Sequence, residues 1–131
     1  MNQTTNRIGI VAIVDDDADI REALASLLMA SSFTIDTFST AEAFLQFPHR
    51  KEVRCLILDV HLPGMNGVEL QKRLLDAGEK VPIVFISANG NSSVRDLAMK
   101  AGAATFLHKP VRAKTLLQEI EAALKRSPLQ S

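Results

Sequence analysis

Five short apolar runs, each followed by a segment with helical periodicity, constrain the fold of this chain more than any other feature. The clearest run is Cys55-Leu56-Ile57-Leu58-Asp59, in which four uncharged residues lead into one carboxylate and then into a stretch rich in Pro and Gly. A short apolar run bounded by turn formers predicts a buried strand. Five uninterrupted strand–helix units predict a parallel sheet covered by helices on both faces, with right-handed crossovers.

The predicted strands and helices alternate along the whole chain. Strands are predicted at 8–14, 33–38, 53–59, 81–87 and 103–108, and the second is the most exposed because its apolar residues alternate with polar ones. Helices are predicted at about 18–30, 41–47, 66–77, 92–101 and 112–125. Ser39-Thr40-Ala41-Glu42 predicts a capping box, with Ser39 as the cap and Glu42 reaching back to it.

The composition suits one globular domain with a neutral surface. The chain has 131 residues, 47% of them apolar, with 15 Lys and Arg against 15 Asp and Glu. This balance argues against a general nucleic-acid-binding surface, which would be basic. We expect one domain over residues 1–126 and a C-terminal tail or the start of a linker over 127–131.

Cysteine usage and apolar run lengths indicate the compartment. Cys55 is the one cysteine, so no internal disulfide is possible, and its apolar setting predicts a buried side chain. The N-terminal residues are polar and do not resemble a signal peptide. No apolar run approaches the roughly 20 residues of a membrane span. We therefore expect a soluble, cytoplasmic protein without membrane contact.

Polar side chains follow four of the predicted strands. Asp15 and Asp16 follow the first, Asp59 ends the third, Ser87 ends the fourth and Lys109 follows the fifth. The carboxyl ends of parallel strands share one edge, where ligands bind in open sheets, so these groups should converge. Each has a simpler alternative: acids at a helix N-terminus, a turn serine, or a solvated lysine. Their joint placement favours a functional site.

Clustered carboxylates at this edge predict a cation. They repel one another unless positive charge offsets them, and oxygen ligands suit Mg²⁺. Mg²⁺ bound in this way is commonly completed by phosphate, and Lys109 and Ser87 offer contacts to further phosphoryl oxygens. Asp59 is then left as the attacking carboxylate. The chain has no glycine-rich nucleotide loop, so the predicted donor is a phosphorylated protein or a small phosphodonor.

The motifs together resemble one family. Val14-Asp15-Asp16-Asp17, Leu58-Asp59 with Leu62-Pro63-Gly64-Met65-Asn66-Gly67, Ser87-Ala88 and Phe106-Leu107-His108-Lys109-Pro110 are similar to the receiver domain of two-component response regulators. The segments 39–45 and 67–70 resemble receivers of the FixJ type, which often precede a helix-turn-helix domain. The resemblance implies a flavodoxin-like (CheY-like) three-layer α/β/α sandwich with a five-stranded parallel sheet in the order 2-1-3-4-5.

The resemblance also implies a phosphoacceptor and a metal site. Asp59 would accept the phosphoryl group from a histidine kinase or phosphotransfer protein. Asp16, Asp59 and the backbone carbonyl of His61 would ligate Mg²⁺, for which Mn²⁺ can substitute, and Asp15 would act through a metal-bound water. Lys109 would contact the phosphoryl group, and its bond to the following proline would be cis.

Switching is implied by the same family. Ser87 would move toward the phosphoryl oxygen and Phe106 would turn inward, at a position where the family often has Tyr. The small side chain of Ala88 would leave the phosphoryl group open to water. We expect an output surface formed by the fourth helix, the fifth strand and the fifth helix, with a phosphorylation-dependent homodimer as one use of it.

Two histidines carry open alternatives. His61 lies two residues after Asp59 and could touch the phosphoryl group or its attacking water; a solvated loop histidine is the other interpretation. His108 alternates with Phe106, either on the output face or as an ordinary, partly exposed strand residue. Neither these residues nor the acidic cluster have the spacing of a zinc site.

Two other functional classes compete with a phosphorylated signalling module. One is a Mg²⁺-dependent phosphatase or phosphotransferase acting on small molecules, which would need a substrate cap that this chain has no insertion to build. The other is a protein-interaction module of the receiver fold that works without phosphorylation, against which the intact acidic site argues. We therefore expect a protein that assists its own phosphorylation and dephosphorylation and is not a turnover enzyme.

Overall fold

The computed structural model describes residues 9–88 and 92–125, which form five strands and five α-helices. The strands are β1 (Ile10–Val14), β2 (Thr34–Phe38), β3 (Val53–Asp59), β4 (Ile83–Ser87) and β5 (Thr105–His108). The helices are α1 (Ala18–Ala30), α2 (Ala41–Leu45), α3 (Gly67–Asp76), α4 (Ser92–Lys100) and α5 (Ala113–Lys125). A 3-10 helix, Arg50–Glu52, precedes β3.

All five strands lie in one parallel sheet with the order β2-β1-β3-β4-β5, as predicted. β3 pairs with β1 on one side and β4 on the other, so Asp59 ends a central strand. β2 forms an edge and is half exposed, in agreement with its alternating sequence. Every crossover between parallel strands contains a helix, and the helices cover both faces.

The core is divided into two layers by the sheet. On one face, side chains of β1, β3 and β4 pack against α2, α3 and α4; Phe44 and Leu70 are representative. On the other face, they pack against α1 and α5, where Leu28 and Leu116 are fully buried. Each fully buried side chain of this size stabilises the fold by about 1.5–3 kcal/mol. Cys55 lies in the second layer, where burial raises the pKa of its thiol to about 12.

The capping box predicted at Ser39 is wrong. Thr40 is the N-cap of α2, and its hydroxyl accepts a 3.0 Å hydrogen bond from the Ala43 amide. Glu42 does not reach back to Ser39; it accepts a hydrogen bond from Met65 in the β3–α3 loop. The similar pattern at the start of α3 does form a full capping box, in which Asn66 and Glu69 exchange hydrogen bonds of 2.8 Å.

Element boundaries differ from the prediction by one or two residues. β4 begins at Ile83, two residues later than predicted. Of the preceding Val81 and Pro82, only the Pro82 carbonyl takes part in backbone hydrogen bonding with β3, where it accepts from the Leu56 amide. β5 likewise begins two residues later than predicted, at Thr105. Three parts of the prediction lie outside the described residues: position 8 of the first strand, the part of the 88–91 loop that follows Ala88, and the tail at 127–131.

The least buried of the long helices is α4. Ala98 is its single fully buried residue, and Leu97 keeps 61% of its surface exposed. The Ala98 carbonyl accepts a 3.0 Å hydrogen bond from the buried Gln71 side chain of α3. α4 is therefore attached to the domain by the small buried Ala98, the half-buried Val94 and one buried hydrogen bond from Gln71.

Within residues 9–88 and 92–125, no helix is long and apolar enough to cross a membrane.

Candidate functional site

The carboxyl edge of the sheet brings the predicted residues together. The Asp15 amide donates to the Phe38 carbonyl at 3.1 Å, which fixes the end of β1 against β2. The Lys109 amide donates to the Ser87 carbonyl at 2.8 Å, which fixes the end of β5 against β4. Asp59 pairs in register with Ile86, one residue before Ser87. The strand ends are thus locked by backbone hydrogen bonds that position their side chains.

Three carboxylates form an acidic cluster at this edge. One carboxylate oxygen from each of Asp15, Asp16 and Asp59 lies within 4.8 Å of the others. Asp15 is fully buried, Asp59 is 4% exposed and Asp16 is exposed to solvent. The cluster therefore has a buried floor and an open side through which an ion or ligand can enter.

Two hydrogen bonds hold Asp15 in place, one to its side chain and one to its backbone carbonyl. Its Oδ1 accepts a 2.9 Å hydrogen bond from the Asp17 amide, and its carbonyl accepts a 2.8 Å bond from the Arg21 guanidinium. Asp17 itself is the N-cap of α1, with its side chain accepting from Asp19 and Ile20. The predicted alternative, acids capping a helix, is thus true of Asp17, whereas Asp15 faces the cluster.

Lys109 supplies the positive charge of the site. Its Nζ lies 2.9 Å from Asp15 Oδ2 and 3.2 Å from Asp59 Oδ2. Burial lowers the pKa of Lys109, but its contacts with Asp15 and Asp59 outweigh burial, and the net pKa is raised. The ammonium is therefore charged at neutral pH. The Lys109–Pro110 peptide bond is cis, as the resemblance implied.

The surroundings of Asp59 disfavour its ionised form and raise its pKa. Burial raises its pKa, and the Asp15 carboxylate raises it further. The His61 amide, which donates to Asp59 Oδ1 at 3.1 Å, and Lys109 act in the opposite direction without cancelling the increase. One lysine thus offsets the negative charge only in part.

The arrangement fits a bound cation. Asp15 Oδ2 is buried, and the Lys109 ammonium lies 2.9 Å from it. The same ammonium also faces Asp59, so one positive charge is shared between two carboxylates, and a metal ion in the cluster would offset the remaining negative charge. Among the described residues the cluster consists of three carboxylates without a histidine or cysteine ligand, a set that suits a hard divalent cation such as Mg²⁺.

The predicted switch residues lie on β4 and β5, the two strands beyond β3 in the sheet. Ser87 ends β4 and is 1% exposed. Phe106 is buried at 7% exposure, with its ring centroid 5.9 Å from that of Phe85 and 5.9 Å from that of His108. Phe106 therefore already points into the protein, and the exposed His108 packs against it edge-on.

The β3–α3 loop, residues 60–66, completes the site. The Gly67 amide donates to the Val60 carbonyl at 2.9 Å, which closes the base of the loop. A Cβ atom on Gly67 would lie 2.4 Å from the Asp59 carbonyl oxygen, so this close approach requires glycine. His61 is exposed on the loop, where its amide contacts Asp59.

Sequence reasoning missed the link between Glu42 and this loop. Glu42 Oε2 accepts a 3.0 Å hydrogen bond from the Met65 amide, which holds the pKa of Glu42 below its ordinary value. The only signal in the sequence is an acid at the start of a helix, and such an acid ordinarily favours the helix dipole or a cap. Contact across 23 residues depends on the tertiary arrangement.

The chain matches the response regulator receiver domain family over residues 11–121 and belongs to that family. The resemblance drawn from the motifs is thereby confirmed, together with the CheY-like fold and strand order. The chain is a signalling module and not a metabolic enzyme that acts on small molecules.

Related proteins are full-length regulators. The response regulator protein TodT of Pseudomonas putida is 41% identical over 130 residues, which are 99% of this chain and 57% of TodT. The transcriptional regulatory protein FixJ of Bradyrhizobium diazoefficiens is 34% identical over 119 residues, 91% of this chain and 58% of FixJ. The chain thus spans about half the length of the curated relatives that it matches.

Solved structures show the same fold. The response regulator StyR superposes with a TM-score of 0.85 at 43% identity, covering 92% of this chain and 61% of the StyR chain. FixJ-N superposes with a TM-score of 0.81 at 35% identity, covering 95% of this chain and 96% of that one.

Proposed function

We propose that this domain accepts a phosphoryl group on Asp59 and uses it to change a protein-interaction surface. The observation that carries the proposal is the juxtaposition at the sheet edge of Asp59, two further carboxylates and the Lys109 ammonium. Such a set of charges serves positioning and charge neutralisation in phosphoryl transfer. Family membership supports the same conclusion.

Asp16, Asp59 and the backbone carbonyl of His61 would hold Mg²⁺, or Mn²⁺ in its place. Asp15 would act through a water on the ion. Bound there, the ion supplies positive charge to the phosphoryl oxygens. A cation there would offset the repulsion between Asp15 and Asp59 and so favour the ionised Asp59 carboxylate, which is the form that can attack phosphorus.

In the transfer step an Asp59 oxygen forms a bond to phosphorus while the bond from phosphorus to the donor breaks. With a phosphohistidine donor, the imidazole nitrogen leaves and takes up a proton. Lys109 would move from its ion pair with Asp59 to a phosphoryl oxygen, so its charge stays compensated. The Ser87 hydroxyl would bind another oxygen. Hydrolysis of the acyl phosphate returns Asp59 to its starting state.

The proposed partners follow from this chemistry. A histidine kinase or phosphotransfer protein would supply the phosphoryl group in the cytoplasm. The output surface would comprise α4, β5 and α5, where Phe106 is buried beneath the exposed His108 and Leu97 projects from α4. Transcription would be regulated through a phosphorylation-dependent homodimer at this surface or through an attached DNA-binding domain, and this domain itself would not bind nucleic acid directly. We assign the receiver to residues 1–126 and a tail or linker start to 127–131.

The test is the intact mass after incubation with acetyl phosphate and Mg²⁺. We expect one phosphoryl increment for wild type, and none without Mg²⁺ or in Asp59→Asn. Size-exclusion chromatography with light scattering then reports whether the phosphorylated form dimerises. Failure of wild type to take up phosphate from either acetyl phosphate or a phosphorylated kinase would support a phosphorylation-independent interaction module instead.

A further inference from the structure

The β3–α3 loop is held by one contact at its start and by two contacts near its end. His61 donates to Asp59 Oδ1 at the start of the loop, and Asn66 caps α3 at its end. Between these points the Met65 amide donates to Glu42 Oε2 at 3.0 Å. Glu42 thus connects the loop to a helix on which none of the proposed site residues lies.

Helix α2, which carries Glu42, is anchored in the core. Ala41 and Phe44 of α2 are buried in the core, at 0% and 1% exposure. Thr40 caps the helix through its hydroxyl group. Because α2 is anchored, the Glu42 carboxylate fixes the position of the Met65 amide relative to the sheet, although Glu42 itself is exposed.

Gly64 provides the space for this contact. It adopts a φ of +70°, and a Cβ atom there would lie 2.7 Å from Glu42 Oε2. A side chain at this position would displace the carboxylate and strain the turn. The loop is therefore shaped to receive an acceptor from α2 next to Met65.

We propose that Glu42 is a positioning residue that holds the β3–α3 loop, and with it the His61 carbonyl, in place for cation binding beside Asp59. This inference rests on the proposed function. The proposed role depends on the carboxylate oxygen as an acceptor, because its hydrogen bond from the Met65 amide holds the loop in one conformation. A loop already ordered before the cation arrives loses less conformational entropy on binding.

Three variants separate the acceptor from its charge. Glu42→Ala removes both, Glu42→Gln keeps an acceptor oxygen without the charge, and Glu121→Ala removes another exposed carboxylate, on α5. Mg²⁺ is titrated into each metal-free protein and its Kd is measured by calorimetry, with amide hydrogen exchange at Met65 measured by NMR. Urea unfolding of each variant verifies that the core is intact.

We expect Glu42→Ala to raise the Kd for Mg²⁺ about threefold to tenfold and to accelerate exchange of the Met65 amide, as loss of one hydrogen bond predicts. Glu42→Gln should remain within about twofold of wild type, as should Glu121→Ala. Equal weakening by Glu42→Gln and Glu42→Ala would assign the effect to charge and overturn the proposal.

The outcome distinguishes this inference from the proposed function. Wild-type binding of Mg²⁺ with an unchanged Kd in Glu42→Ala would overturn the positioning role and leave the function intact. Absence of Mg²⁺ binding in the wild-type protein would overturn both.

Discussion

Lys109 Nζ lies 3.2 Å from Asp59 Oδ2, and this ion pair joins the end of β5 to the end of β3. The pair lies in the space where a phosphoryl group would be bound. The phosphoryl group proposed for Asp59 would therefore have to displace this contact.

Replacing Lys109 with glutamine should separate cation binding from phosphorylation. The ammonium lies beside Asp15 and Asp59 and would repel a divalent cation held in the acidic cluster, so Lys109→Gln should bind Mg²⁺ about twofold to tenfold more tightly, measured by calorimetry. The same variant lacks a cation for the transferring phosphoryl group, so acetyl phosphate should modify it at least about tenfold more slowly. Lys72→Gln, which removes an exposed lysine of α3, should change neither quantity. Weaker Mg²⁺ binding by Lys109→Gln would contradict this account.

Removing the Asp59 charge should stabilise the metal-free domain. Burial and the Asp15 carboxylate raise the pKa of Asp59, so the folded chain binds this proton more tightly than the unfolded chain. That stabilising contribution is present in full below the unfolded pKa of about 3.9 and is lost as the pH rises through the higher folded value. In EDTA, Asp59→Asn should therefore melt above wild type by ~2–5 °C at pH 7, with the difference shrinking toward pH 4. Mg²⁺ should reverse the order. A lower Tm for Asp59→Asn in EDTA at neutral pH would refute the prediction.

Adding one methyl group at Gly67 should destabilise the domain. The new Cβ would lie 2.4 Å from the Asp59 carbonyl oxygen, so the backbone that carries Asp59 must shift. We expect Gly67→Ala to lower the free energy of unfolding by about 2–3 kcal/mol in urea, although alanine is the better helix former. Lys72→Ala, at an exposed site of the same helix, should remain within about 0.5 kcal/mol of wild type. Comparable stabilities for the two variants would show that the close approach is unimportant.

The thiol of Cys55 should be unreactive in the native protein. Its side chain is fully buried in β3 and burial raises its pKa to about 12, so both access and thiolate formation are suppressed. An aromatic disulfide reagent at pH 8 should label denatured protein within the mixing time, and the native protein only at the rate of opening. Cys55→Ala serves as the blank. Immediate labelling of the native chain would contradict the burial of β3.

The convergence of the site could be predicted because it depends on strand direction alone. Once Asp59 and Lys109 are assigned to the ends of parallel strands, the pleated sheet brings them to one edge. The distances that decide the chemistry depend on side-chain rotamers and could not be obtained in this way. The family resemblance supplied the roles that geometry alone left open.

The contacts that the sequence did not reveal are those between distant segments. The sequence around Glu42 fits the pattern of a local capping box. The Met65 amide, from which Glu42 accepts a hydrogen bond instead, is brought close to it only by folding. Gln71 lies on an otherwise apolar helix face, where its burial against the Ala98 carbonyl depends on the placement of α4. Local rules describe partners within one helical turn, and these two side chains have partners 23 and 27 residues away.

The weak attachment of α4 has a thermodynamic consequence for signalling. With Ala98 as its one fully buried residue, this helix can shift or open at a small fraction of the cost of global unfolding. On the function proposed above, inversion of a 99:1 population between two positions of α4 would require about 5.5 kcal/mol. A modification of Asp59 would have to supply that difference, and a response limited to α4 would leave the sheet unchanged.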